Sequence, residues 1–114
     1  MTSRFALVPF AAAALTLLLC STGSAAATPA KPVRHAVTID STLYQPQTIT
    51  VAVGDSIVWT NKDPFPHTIT SKTGGFDSKQ IDAGKSWTFT ARKKGSFPYV
   101  CTFHPTMTGT LKVR

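Results

Sequence analysis

The chain has 114 residues, and its 12 Lys and Arg against 5 Asp, with no Glu, give a formal charge of +7. That length holds one small domain with a modest core, burying about 60–65% of its unfolded surface. The positive charge raises nucleic acid as a partner, but no recognition module or basic stripe accompanies it. The only dense run is Arg92-Lys93-Lys94, so nucleic-acid binding is set aside.

In chain order, the first element is a leader. Arg4 precedes an apolar run from Phe5 to Leu19, and the small residues Ser21, Gly23, Ser24 and Ala25-Ala26-Ala27 follow. Charge, apolar core and A-x-A in this order make a secretory signal peptide. Residues 1–27 are read as that signal, with cleavage after Ala27 and Ala26 as the neighbouring alternative. The run falls short of the about 20 apolar residues of a membrane span, and Pro9 interrupts it. Stable membrane insertion is therefore not expected, although an uncleaved anchor stays open. No twin-arginine pair is present, which favours the general secretory route. Cys20 closes the run, but Leu19 before it is larger than lipoprotein processing wants, so Cys20 is expected to leave with the leader.

After cleavage the balance is eleven cations to five Asp, and Cys101 is the sole thiol. A lone cysteine in an exported protein has no internal disulfide partner. A bound metal would protect it.

Residues 28–34 read as a flexible lead-in and residues 35–114 as the domain. Its strands are short and separated by turn signals. His35-Ala36-Val37-Thr38-Ile39 alternates. Ile49, Val51 and Val53 alternate with Thr48, Thr50 and Ala52, and Gly54-Asp55 ends that run. Ile57 and Trp59 share a face, and Asn61-Lys62-Asp63-Pro64 turns the chain. His67, Ile69 and Ser71 share the next face, and an irregular connection runs from Lys72 to about Lys85. Trp87, Phe89 and Ala91 form another face, Arg92-Lys93-Lys94-Gly95 a hairpin turn, and Phe97, Tyr99 and Cys101 the next. Thr108-Gly109 is read as a turn into a last strand carrying Leu111 and Val113. About seven to eight strands at this spacing predict an all-β fold, an antiparallel β-sandwich with Greek-key connections. Trp59 and Trp87 are expected in the core, His35 as a structural or rim residue, and Asp55, Asp63 and Asp82 as turn residues.

The chemistry concentrates in Cys101-Thr102-Phe103-His104-Pro105-Thr106-Met107, with His67 upstream. One Cys, two His and one Met is the ligand set of a blue-copper centre, with a trigonal His₂Cys plane and a weak axial Met. Period-two alternation turns His67 and Cys101 inward from strand ends, and the loop from Thr102 to Thr108 returns His104 and Met107 over the same pole. A thiol nucleophile with a His base would need a third, orienting group and a cleft. Structural zinc prefers four Cys or His ligands, although zinc could still misload. A binuclear copper site would need a second mature cysteine. The chain is therefore not expected to be an enzyme.

These residues, with Tyr44-Gln45-Pro46, Thr50-Val51-Ala52-Val53-Gly54-Asp55, Val58-Trp59-Thr60-Asn61, Pro66-His67-Thr68, Gly84-Lys85-Ser86 and Tyr99-Val100-Cys101, resemble a small cupredoxin of the plastocyanin and amicyanin type. The C-x-x-H-x-x-M spacing is the short ligand loop of amicyanins. The resemblance implies that Cys101, His67 and His104 form the trigonal plane around one copper ion cycling between Cu(I) and Cu(II), with Met107 axial. The backbone N–H of Thr68 would donate to the sulfur, Pro105 would remove a second donor, and Asn61 would hold the ligand loops. Many members carry Asn where this chain has Thr68, whose shorter side chain is expected to bridge less well to the Cys loop.

Electrons would pass at His104, within an apolar rim of Phe65, Phe103, Pro105 and Met107. The expected function is a periplasmic or otherwise extracytoplasmic single-electron carrier, monomeric, meeting redox protein donors and acceptors. Acidic partners would be steered to Arg92-Lys93-Lys94. The alternative is a copper carrier or chaperone.

Overall fold

The structure is a computed structural model that describes residues 6–7, 9, 11–14, 23 and 31–114. The signal-peptide reading and the start of the lead-in fall on residues largely outside these. Among the described residues no helix is long and apolar enough to cross a membrane.

Among the described residues nine strands follow one another: β1 (Arg34–Asp40), β2 (Leu43–Gln45), β3 (Thr48–Val51), β4 (Ser56–Asn61), β5 (Thr70–Ser71), β6 (Phe76–Asp77), β7 (Ser86–Thr90), β8 (Gly95–Cys101) and β9 (His104–Val113). They form a four-stranded sheet, β2-β1-β4-β7, and a five-stranded sheet, β3-β9-β8-β5-β6. Alternation sets the inner faces. Ile57, Trp59 and Asn61 of β4 are buried between half-buried neighbours, as are Phe97, Tyr99 and Cys101 of β8 between more exposed ones. Each fully buried aliphatic side chain contributes about 1.5–3 kcal/mol, and Ile39, Ile57, Ile69 and Leu111 are completely enclosed. Trp59 joins the sheets by donating its Nε1–H to the Tyr99 hydroxyl at 3.3 Å. Trp87 lies at the margin, packed on Phe89 and Phe76.

The sandwich and its all-β character agree with the sequence reading, but the sheets are mixed rather than purely antiparallel. β1 runs parallel to β4, and β3 parallel to β9. The reason lies at Pro46. β2 and β3 run in the same direction, away from the end where β1 and β8 finish. They are one strand that leaves the first sheet at Gln45 and joins the second at Thr48. Proline has no N–H to continue a ladder, and bends of this kind let a strand change sheets.

Three smaller differences follow from pairing partners that alternation does not reveal. Arg34, expected in the lead-in, opens β1, because it registers with Ser56. The irregular connection after Lys72 contains β6, which pairs with β5. Thr108-Gly109 is not a turn: both residues lie inside β9, with Gly109 opposite Tyr99. A Cβ at Gly109 would come within 2.4–2.6 Å of the Tyr99 ring and hydroxyl, so this glycine makes room for the aromatic ring.

Candidate metal centre

β8 delivers Cys101 to one pole, and a two-residue turn, Thr102-Phe103, brings the chain back into β9 at His104. Cys101 pairs directly with His104, whereas Val100 pairs with Thr108. Pro105, Thr106 and Met107 therefore bulge out of the ladder, a device that re-aims side chains. The expected loop from Thr102 to Thr108 is thus a tight turn followed by a bulge. His67 arrives from the opposite side and is fixed by a reciprocal pair of backbone hydrogen bonds with Ile81, at 3.1 and 2.8 Å.

One donor atom each from His67, Cys101 and His104 lies within 4.8 Å of the others. The Nδ1 atoms of both imidazoles are 3.7 Å from the Cys101 sulfur. Metal bonds of about 2.0 Å to nitrogen and 2.3 Å to sulfur, opened to a wide angle, span that separation. The residues present therefore fit one ion of the soft, imidazole-accepting class, and the group can bind copper. Cys101 and His67 are fully enclosed, whereas His104 is half-buried. Met107 lies buried in the bulge, three residues beyond His104.

The surroundings orient these donors. Thr68 donates its backbone N–H to the Cys101 sulfur at 3.3 Å, the contact the sequence reading anticipated. Its side chain also reaches the Cys loop. Thr68 Oγ1 accepts the backbone N–H of Thr102 at 2.9 Å and lies 3.2 Å from the Thr102 hydroxyl. The short side chain bridges to the Cys loop through the Thr102 backbone N–H, with the Thr102 hydroxyl beside it. Asn61 is fully buried; its Nδ2 donates to the carbonyls of Phe65 and Ile81, and its Oδ1 accepts the Asp63 N–H. It therefore ties together the segments on both sides of His67.

Asp63, expected as a turn residue, has a larger role that the sequence analysis does not assign. Its carboxylate accepts the His67 Nε2–H at 2.7 Å. It also accepts the backbone N–H groups of Ser41 and Thr42 at 2.7 and 2.9 Å. With Nε2 carrying the proton, Nδ1 presents its lone pair toward the sulfur, the tautomer a metal requires. Burial works against ionisation of Asp63, but the Thr42 N–H, the His67 ring and the Ser41 N–H outweigh it and hold the carboxyl below its ordinary range. Ser41 and Thr42 form the two-residue β1–β2 turn, with φ of 52° and 61°. A β-branched residue at positive φ is a real departure, and Asp63 holds it there. Its position four residues before His67 was the available signal.

Around the half-exposed His104 ring, Phe65 and Phe103 are 40% and 50% exposed. Phe65 lies 5.2 Å from the His67 ring and 5.7 Å from that of His104. They form a surface rim rather than core. His35 sits at the opposite end of the domain, its Nε2 2.9 Å from Asp55, and Arg92-Lys93-Lys94 lies at that remote end too, because β7 and β8 meet there.

Residues 9–113 match the model of the cupredoxin-like domain family. The chain belongs to that family. This cupredoxin-like chain is 28% identical over 78 residues to amicyanin of Paracoccus versutus, covering 64% of this chain and 59% of that one. It thus spans about three fifths of the length of the curated relatives it matches. Among solved structures it superposes on a copper(I) form of an amicyanin variant with a TM-score of 0.66, at 25% identity over 71% of this chain and 82% of that one. It also superposes on a novel purple cupredoxin from Nitrosopumilus maritimus with a TM-score of 0.64, at 29% identity over 70% and 99% of the two chains.

Proposed function

We propose that this chain is an exported single-electron carrier in which His67, Cys101, His104 and Met107 hold one copper ion. The observation that carries the reading is the convergence of three donors within 4.8 Å at a pole where one imidazole reaches the surface. The amicyanin relative and the copper(I) amicyanin structure support it. When bound, the ion supplies a Cu(I)/Cu(II) couple in a site intermediate between the preferences of the two states.

The chain's own residues do the rest. Cys101 and His67 keep water from the sulfur by burial. The Thr68 N–H withdraws charge from the thiolate, and Pro105 offers no second donor. Asp63 and Asn61 fix the donors, so little moves when an electron passes. His104 carries the electron to partners that dock on the rim of Phe65 and Phe103. Met107, buried in the bulge three residues beyond His104, would offer its thioether as a further, weak ligand to the ion.

In this reading residues 1–27 are a signal peptide, the mature domain works outside the cytoplasm as a monomer, and its partners are redox proteins. The chain carries electrons and transforms no substrate. The test is to load the protein with Cu(II), record the visible spectrum, and compare the electron self-exchange rate with the rate of copper loss to a chelator. An intense visible band with fast exchange and a retained ion is expected. Rapid ion release with sluggish exchange would instead identify a copper-handling carrier, and a colourless product would overturn both readings.

A further inference from the structure

The charge of this domain is not spread evenly. The β3–β4 turn gathers three other segments at the pole remote from the metal centre. Ser56 N–H bonds the Val33 carbonyl, Gly54 N–H that of Ala91, and Val53 N–H that of Arg114. The neighbours of these anchor points are Arg34, Arg92, Lys93 and Lys94, and Lys112 and Lys31 lie close along the same strands and lead-in. Together with Arg114 they are exposed. One side-chain carboxylate, Asp55, accompanies these seven cations, and it is occupied by the Val33 and Ala52 N–H groups and by His35. Over the rest of the domain Lys62, Lys72, Lys79 and Lys85 are matched by Asp40, Asp63, Asp77 and Asp82. The net charge of the domain therefore resides at one end.

One further observation says what that end meets. Val33 and Val53 are 53% and 46% exposed there, among the cations. A basic surface with exposed apolar residues has the composition of an interfacial membrane contact, where apolar burial and attraction to anionic lipid act together. An electron-exchanging partner is poorly served here. The seven residues of β1 separate this pole from the metal pole, about 20 Å at strand rise.

We propose that the basic pole docks the domain on an anionic phospholipid surface, with Val33 and Val53 in the headgroup layer and the metal centre facing away. Lipid headgroups present dispersed charge without fixed geometry, which suits cations on flexible side chains from separate segments. The orientation leaves the Phe65–Phe103 rim open to soluble partners while the protein is surface-bound.

The experiment compares mature chains without residues 1–27, the form the proposed function assigns to the exported protein, using vesicles of phosphatidylglycerol with phosphatidylcholine and vesicles of phosphatidylcholine alone. Replacing Arg92, Lys93 and Lys94 by Glu is expected to weaken binding to the anionic vesicles at least about a hundredfold. The same change at Lys62, Lys79 and Lys85 is expected to leave it nearly unchanged. A Val53→Trp variant should be quenched by brominated anionic lipid, and a Phe65→Trp variant should not. Near-ultraviolet circular dichroism of Trp59 and Trp87 verifies that each variant is folded. Equal weakening by both sets of charge reversals would overturn the proposal, since bulk charge alone would then act. Absence of any preference for anionic vesicles, or capture by polyglutamate without vesicle binding, would overturn it too, the latter in favour of an acidic protein.

Discussion

At the scale of single residues, the site divides into groups that donate to a metal and groups that aim the donors. Cys101→Ser removes the thiolate, so the intense visible band of the copper-loaded protein is expected to vanish. Met107→Ala is expected to retain colour and shift the reduction potential, because a weak axial ligand tunes rather than holds. Equal loss of colour in the two variants would contradict the axial assignment. Asp63→Ala tests the aiming group. It leaves the Ser41 and Thr42 N–H groups and the His67 ring without their shared acceptor. A loss of about 1–3 kcal/mol is expected for each donor left buried and unpaired, read from the urea midpoint. Copper affinity should fall about 10–100-fold, read by competition with a chelator. The ligand spacing was legible in the sequence because Cys101, His104 and Met107 are local. Asp63 is legible only as an aspartate four residues before His67; Asn-Lys-Asp-Pro by itself does not distinguish an aspartate that shapes its own turn from one that reaches a histidine and the β1–β2 turn.

At the scale of elements, β8 and β9 carry the site and also its most sensitive packing. Gly109 faces Tyr99 across the ladder, with no room for a methyl group. Gly109→Ala is expected to destabilise the domain by about 1–3 kcal/mol through overpacking, measured by denaturant unfolding. Tyr99 must then shift, and Trp59, which donates to it, should report the change in fluorescence; an unchanged midpoint and spectrum would refute the tight fit. Alternation identifies β1, β4 and β8 because each buries one face more deeply than the other. It could not show that Gly109 lies within a strand, since a glycine beside threonine reads equally as a turn. It also could not show which strands are neighbours, so the two parallel pairings were invisible.

At the scale of the whole molecule, the two poles are held by different carboxylates. Asp55 fastens the remote pole. The Val33 N–H, the His35 ring and the Ala52 N–H draw its pKa down to about 2 from the ordinary 3.8. A group with a depressed folded pKa stabilises the fold above its unfolded pKa and ceases to as pH falls through the folded value. Stability is therefore expected to decline as pH drops from about 4 toward 2, and Asp55→Asn should flatten that part of the profile. An unchanged slope in the variant, read from thermal midpoints against pH, would show that Asp55 does not contribute it.

The bend at Pro46 makes one run of chain common property of both layers, Tyr44 pairing with Ile39 in the first and Ile49 with Leu111 in the second. Neither layer can peel away without tearing its share of that run from the other. Partial opening is therefore discouraged across the entire body, and the amides of Tyr44 and Ile49 should exchange with solvent at a common rate set by complete unfolding. The domain behaves as a single cooperative clasp, and the three donors gathered at its end keep their spacing.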